Sequence, residues 1–344
     1  MNPKQLNYTM PAEWTTHERT FISWPVQASM VYPEHYEQVS AGYAELVNAI
    51  AEFEPVTVVV NPADMEKVDS LFAGITAVEC LPVEHNDAWL RDNGPTFVVN
   101  PDGELAGVNW KFNAWGGKYS PWDLDDAVAP QILKHVDVKQ FDAPLVMEGG
   151  SIHTDGEGTL LTTEECLLNV NRNPELSREQ IEGYVKEFVN VDTIIWLKRG
   201  LSGDETDGHV DNIACFAAPG KIILQVCDDP SDDNYAITEE NRRILSEAVD
   251  AKGRKLEIIE IGQPPYAEYE DTRLTLSYLN FYFVNGGIIL PVFGGAAEEA
   301  DRKAIETLQA AFPDRRIRPI DGMAVIREGG NVHCTTQQMP ARRA

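Results

Sequence analysis

Cysteine is scarce in this chain of 344 residues, basic residues are few, and no long apolar run occurs. Each shortage excludes something. The five cysteines, Cys80, Cys166, Cys215, Cys227 and Cys334, are an odd count with no CxxC pair, which argues against a disulfide framework and against a zinc ribbon. Free thiols fit a reducing compartment. No stretch nears the roughly 18 apolar residues of a membrane span, and no basic start precedes an apolar core. The chain is therefore expected in the cytoplasm, away from membranes.

Lysine and arginine number 28 against 55 aspartates and glutamates, a formal net charge of −27. The acids are spread along the chain, which disfavours nucleic acid as a partner and would draw in a small cation. Also missing are a GxSxG elbow, a GxGxxG or GxxxxGK[ST] phosphate loop, and an HExxH pair. Serine hydrolase chemistry, nucleotide binding and a helical zinc site lose their usual signatures with them.

What is present is alternation. Short apolar runs of strand length occur at 56–60 (VTVVV), 96–100, 158–163, 192–197, 212–217, 221–226, 279–294 and 323–328 (MAVIRE). Between them, residues 35–53, 177–189, 238–253 and 297–312 space apolar side chains three or four apart, as helices do. The class is α/β. No linker or low-complexity tract divides the chain, so residues 1–344 read as one domain.

The turns carry a repeat. EGGSIH at 148–153 and EGGNVH at 328–333 share one form, and polar loops at 91–99, 208–216 and 283–291 complete five such sites. About five similar sheet modules around an axis would produce that spacing.

Within these loops lie the groups that could do chemistry. Cys334 directly follows His333; if both lie on a strand they face opposite ways, so a base for the thiol must come from elsewhere. His209 and Asp211, two apart in GHVDN, are expected on one side of a strand. Asp87, Trp89 and Asp92 in NDAWLRDNGP put carboxylates beside an aromatic ring, which suits a cation with apolar bulk. Glu148 adds another carboxylate, and the two glycines after it allow close backbone approach. Asp204, Glu205 and Asp207 crowd the approach to His209, either as partners of the site or as solvated turn acids. Taken one by one, a buried cysteine is as well read as a small hydrophobe and a loop aspartate as a turn former.

Six stretches in order, at 10–25, 86–99, 112–125, 148–174, 203–216 and 329–340, make the sequence resemble the agmatine deiminases. These belong to the bacterial peptidylarginine-deiminase-like group of guanidine-modifying enzymes. The resemblance spans nearly the whole chain. It implies the pentein fold, a five-bladed α/β propeller of ββαβ modules. It also implies that Cys334 is the nucleophile, His209 the acid and base, Glu148 its partner, and Asp92 and Asp211 the guanidinium ligands. Trp89 and Asp87 would then line the pocket for the aliphatic chain and distal amine, with Trp89 read equally well as a packing residue.

The implied reaction is hydrolysis of agmatine to N-carbamoylputrescine and ammonia in polyamine synthesis, with no metal and no organic cofactor. A homodimer or larger homo-oligomer is compatible with the sequence. Three other functions stay open at this point: amidino transfer, deimination of arginine or peptidyl arginine, and polyamine binding without catalysis.

Overall fold

The computed structural model describes residues 1–342. Five sheets of one design follow one another along the chain. In each, an inner strand pairs antiparallel with a middle strand, and a helical crossover then adds an outer strand parallel to the middle one. The inner, middle and outer strands of the second module are Thr96–Val99, Leu105–Lys111 and Lys139–Val146. The third uses His153–Thr154, Thr159–Thr163 and Thr193–Leu197. Ala214–Ala218, Lys221–Val226 and Glu257–Gly262 form the fourth. Tyr282–Val284, Gly287–Val292 and Arg316–Asp321 form the fifth.

The first module is assembled from both ends of this sequence. Its inner strand, Thr336–Pro340, pairs antiparallel with His17–Ser23, which pairs parallel with Val56–Val60. A fourth strand, Val78–Pro82, extends this sheet alone.

The sequence explains the layers. Val56–Val60 is β-branched at every position and wholly buried, as a parallel strand covered on both faces must be. The crossover helix Tyr36–Ala51 buries Val39, Tyr43, Leu46, Val47 and Ile50, the three-or-four spacing of one face. Each such side chain contributes roughly 1.5–3 kcal/mol over leaving it exposed. The crossover Arg178–Val189 starts on a capping box between Ser177 and Gln180.

Two expected elements move. MAVIRE is no strand: Met323–Ile326 is a single helical turn, and the outer strand is Arg316–Asp321. Its arginines hid it from a search for apolar runs, because Arg316 and Arg318 lie at the surface and reach Glu52. The helix expected at 238–253 runs Asp233–Glu247, since the Asp232 side chain caps it earlier by accepting from the Asn234 N–H.

Before each inner strand the chain makes a short polar turn, and these turns form a closed ring. Val332–Thr335 packs on Leu90–Asn93, which packs on Gly149–Ser151, which packs on Val210–Asn212. The fifth turn, Ser277–Asn280, completes the circuit: Asn280 Nδ2 donates to Asn212 Oδ1, and its Oδ1 accepts from the His333 N–H. The fourth loop expected from sequence, 283–291, is not this turn. It is the hairpin between the inner and middle strands of the fifth module, turning at Gly286 with a left-handed φ of 75°.

Candidate active site

Each turn of the ring delivers a side chain to its centre. Asp92, in the turn Leu90–Asn93, accepts the Gly150 N–H at Oδ1 (2.9 Å) and the Trp115 indole N–H at Oδ2 (2.8 Å). Trp115 and Ala114 sit in left-handed backbone, with φ of 53° and 51°. That uncommon conformation places the indole on Asp92. Burial pushes the Asp92 carboxyl up, and Asp211 and Glu148 add to this against the pull of His209.

Glu148 immediately precedes Gly149–Ser151. Its Oε1 accepts from Arg172 Nε at 2.7 Å, and its Oε2 lies 3.7 Å from His209 Nε2 and 3.8 Å from Cys166 Sγ. Burial works to raise this carboxyl, but His209 and the Arg172 guanidinium outweigh it and hold the group below its usual range. His209 is fully buried, with Nδ1 3.8 Å from Asp92 Oδ1, and neither ring nitrogen has a hydrogen-bond partner within range. Burial alone would lower the imidazole; Asp92, Cys166 and Glu148 raise it well above its ordinary value.

Asp211 and His209 are brought together as expected, though by a different route. His209 caps the start of a one-turn helix, Val210–Asn212, and Asp211 lies within it, rather than both lying on a strand. Gly150 makes the convergence sterically feasible. A Cβ there would stand 2.7 Å from His209 Nδ1 and 2.9 Å from both Asp211 Oδ2 and Asp92 Oδ1. The close approach enabled by this glycine is to neighbouring turns.

Cys334 lies in the helical turn Val332–Thr335, only 6% exposed. Its Sγ is 3.7 Å from Asp211 Oδ2 and 3.1 Å from Asn280 Nδ2. Burial, then Asp211 and Asp92, push the thiol well up. His333 shares this helical turn, so the expectation of opposite strand faces does not apply; its ring nonetheless points elsewhere. Its Nδ1 meets Asp211 Oδ2 at 2.9 Å and its Nε2 meets Glu13 at 3.0 Å. Glu13 also faces Arg91 (3.5 Å) and His153 (3.7 Å).

Above the thiol opens a pocket enclosing about 650 Å³ of space, part of it solvent. Asp92 and Cys334 contribute to its lining, with Trp89, Trp115, Tyr43 and Tyr119 as aromatic walls. Asp87, Glu205 and Glu328 add three further carboxylates, and no lysine or arginine lines it among the described residues. Burial pushes the half-buried Asp87 up to about 6. Of the three loop acids, Glu205 lines the pocket and accepts from the Tyr119 hydroxyl. Asp204 accepts from Thr206, and Asp207 from Lys118, Asn171 and Arg172. Glu148, Cys166 and His209 also bring three metal-type ligand atoms within 4.8 Å of one another. Arg172 already holds that glutamate, and its charge opposes a cation there.

Residues 9–340 match the Porphyromonas-type peptidyl-arginine deiminase family. The chain belongs to that family. Agmatine deiminases of Stutzerimonas stutzeri and Ectopseudomonas mendocina are 44% and 43% identical to it; each alignment spans 98% of this chain and 97% of the relative. The solved agmatine deiminase of Enterococcus faecalis superposes with a TM-score of 0.94 at 36% identity, over 99% of this chain and 98% of that one. The fold is the pentein fold of these enzymes.

Of this family member's central groups, Cys334, His209, Glu148, Asp92 and Asp211 were named from sequence, and they converge. Asn280, Trp115, Glu13, Arg172 and Glu328 were not singled out. Arg172 had a signal, since a buried Glu beside a histidine calls for a cationic partner. Asn280 sits within an apolar stretch, SYLNFYF, where a lone asparagine looks incidental.

Proposed function

We propose that the protein hydrolyses agmatine to N-carbamoylputrescine and ammonia, as one domain spanning residues 1–344. The observation that carries this reading is the arrangement of charge around Cys334. Two carboxylates, Asp92 and Asp211, flank a buried thiol at the floor, and further acids line a pocket that holds no lysine or arginine among the described residues. That suits a molecule cationic at both ends with an aliphatic chain between. Free arginine would need a cation for its carboxylate, and Arg91 is committed to Glu13 and to the His333 carbonyl.

Asp92 and Asp211 hold the planar guanidinium by paired N–H bonds and keep it protonated. Its charge offsets the two carboxylates that raise the thiol, so substrate binding itself favours the thiolate. Cys334 adds to the guanidinium carbon, forming a C–S bond. His209, with its raised imidazole, protonates the departing nitrogen, which leaves as ammonia and gives an S-alkylthiouronium. Water, losing a proton to the same imidazole, adds to that carbon; the C–S bond breaks, the thiolate returns, and the ureido product forms. Glu148, held by Arg172, keeps the imidazole oriented and stabilises its charged form.

Trp89, Trp115 and Tyr119 pack the tetramethylene chain, while Asp87, Glu205 and Glu328 receive the distal ammonium. The product, a carbamoyl derivative of putrescine, places the enzyme in polyamine synthesis. Agmatine, arginine and a peptidyl arginine, each assayed for ammonia release and ureido product, test the reading. Agmatine should dominate and Cys334→Ala should be silent. No product from agmatine, or an unchanged rate in that variant, would overturn it.

A further inference from the structure

Four of the five turns bring a charged or nucleophilic group to the centre of the ring. The fifth brings Asn280, 1% exposed, from the module in which the sequence shows no acid, histidine or cysteine near the turn. Its amide touches the cysteine on two sides. Oδ1 accepts from the His333 N–H at 3.0 Å and from the Cys334 N–H at 3.4 Å. Nδ2 donates to Cys334 Sγ at 3.1 Å and to Asn212 Oδ1 at 3.0 Å.

This orientation is fixed by its partners. Reversing the amide would set an NH2 group against two backbone donors and leave the sulfur facing a carbonyl oxygen. Asn212 is held in the matching sense, since its Nδ2 reaches toward Asp204 Oδ2 at 3.5 Å. The donor aimed at the sulfur is thus built in before substrate arrives.

We propose that Asn280 stabilises the thiolate of Cys334, donating an Nδ2 hydrogen bond to the sulfur that strengthens as the proton leaves. The role rests on the reading of Cys334 as nucleophile. The carboxylates around this thiol work in the opposite direction, and of its remaining contacts only the Asn331 backbone acts as Asn280 does. Asp211, at 3.7 Å, and Asp92 both oppose a second negative charge, and Tyr43, from the crossover helix of the first module, is too weak an acid to help. The His333 ring is engaged by Asp211 and Glu13 instead. Before the substrate cation arrives, and again when the thiolate departs from the thiouronium, Asn280 is the side-chain donor in contact with the sulfur. A hydrogen bond to a charged acceptor is worth more than one to a neutral acceptor, so it favours S⁻ over S–H.

The test is the pH dependence of alkylation of Cys334 by iodoacetamide, with the label located by mass spectrometry, in the native protein, Asn280→Asp and Asn280→Ala. Asp keeps the size and the oxygen acceptor and removes the donor; Ala removes the donor without adding charge. Both should move the alkylation midpoint up by about one to two pH units, with Asp moving it further, and slow labelling at neutral pH by about tenfold or more. The acid limb of kcat/KM for agmatine should shift in the same direction. A purely structural asparagine would lower melting temperature and rate while leaving the midpoint in place. An unmoved midpoint in either folded variant overturns the assignment, and if Ala fails to fold, Asp decides. Should Cys334→Ala keep full activity, the nucleophile reading fails instead; the alkylation profile still reports what Asn280 does to this sulfur.

Discussion

EGGSIH and EGGNVH occupy the same place in the third and first modules, yet they have been put to different uses. Glu148 is buried between Arg172 and His209 and stays ionised. Glu328 has no salt-bridge partner among the described residues: its Oε2 accepts from the backbone N–H groups of Val31 and Tyr32, its Oε1 is unpartnered, and burial pushes its carboxyl up. Gly150 clears space for His209 and two aspartates, whereas Gly330 clears space for the Trp89 ring, 2.5 Å from where its Cβ would stand. The two histidines keep a shared duty, since His153 and His333 both face Glu13. The next position diverges again, with Thr154 bonded to a backbone carbonyl and Cys334 open to the pocket. One backbone design therefore sets one glutamate against a histidine and an arginine and lets the other line the pocket beside Cys334, decided by what each glutamate meets.

The sharpest way to break this comparison is at the last position. Cys334→Ala should lower kcat for agmatine by about 10⁴-fold or more, as loss of a nucleophile does. Adding Thr154→Cys to it should restore nothing, read by the same ureido assay. The glutamates come next. Glu148→Gln should cost about 10²–10³ in kcat through the imidazole. Glu328→Gln should leave kcat nearly intact and raise KM by about tenfold, the worth of one charge-assisted contact. Equal effects on kcat would erase the distinction between them.

The glycines sharpen it further. Gly150→Ala should displace His209 and the aspartates, cutting kcat about 100-fold and costing about 1–3 kcal/mol in stability, measured by steady-state kinetics and thermal unfolding. Gly330→Ala should act on KM through Trp89. The smallest effect concerns pH. Asp87 is pushed up to about 6, so it is anionic above that pH and takes up a proton below it. Its attraction for the distal ammonium is then lost as pH falls, and KM for agmatine should rise up to about fivefold between pH 7 and 5. Asp87→Asn should flatten that rise.

The five central residues named from sequence were legible because each sits beside a turn signal, Gly-Gly in EGGS and EGGN, Gly-His in GHVDN, and Asn-Gly in RDNGP. The α/β alternation was legible because buried parallel strands are continuous apolar runs. Arg316–Asp321 was not, since its alternate arginines belong to a surface edge. Asn280 and Trp115 escaped because their roles depend on partners distant in sequence: Asn212 and Cys334 for one, and for the other Asp92, met through left-handed backbone at Ala114 and Trp115. Glu13 was passed over because no local pattern marks an acid that serves two histidines, one of them some 320 residues away.

The pairing of Thr336–Pro340 with His17–Ser23 also sets a schedule for synthesis. Until the ribosome has passed residue 340, His17–Ser23 keeps one open edge, and the four other modules have no partner to complete the circuit. Cys334, in the turn that leads directly into this closing strand, is made after the other four turns of the ring.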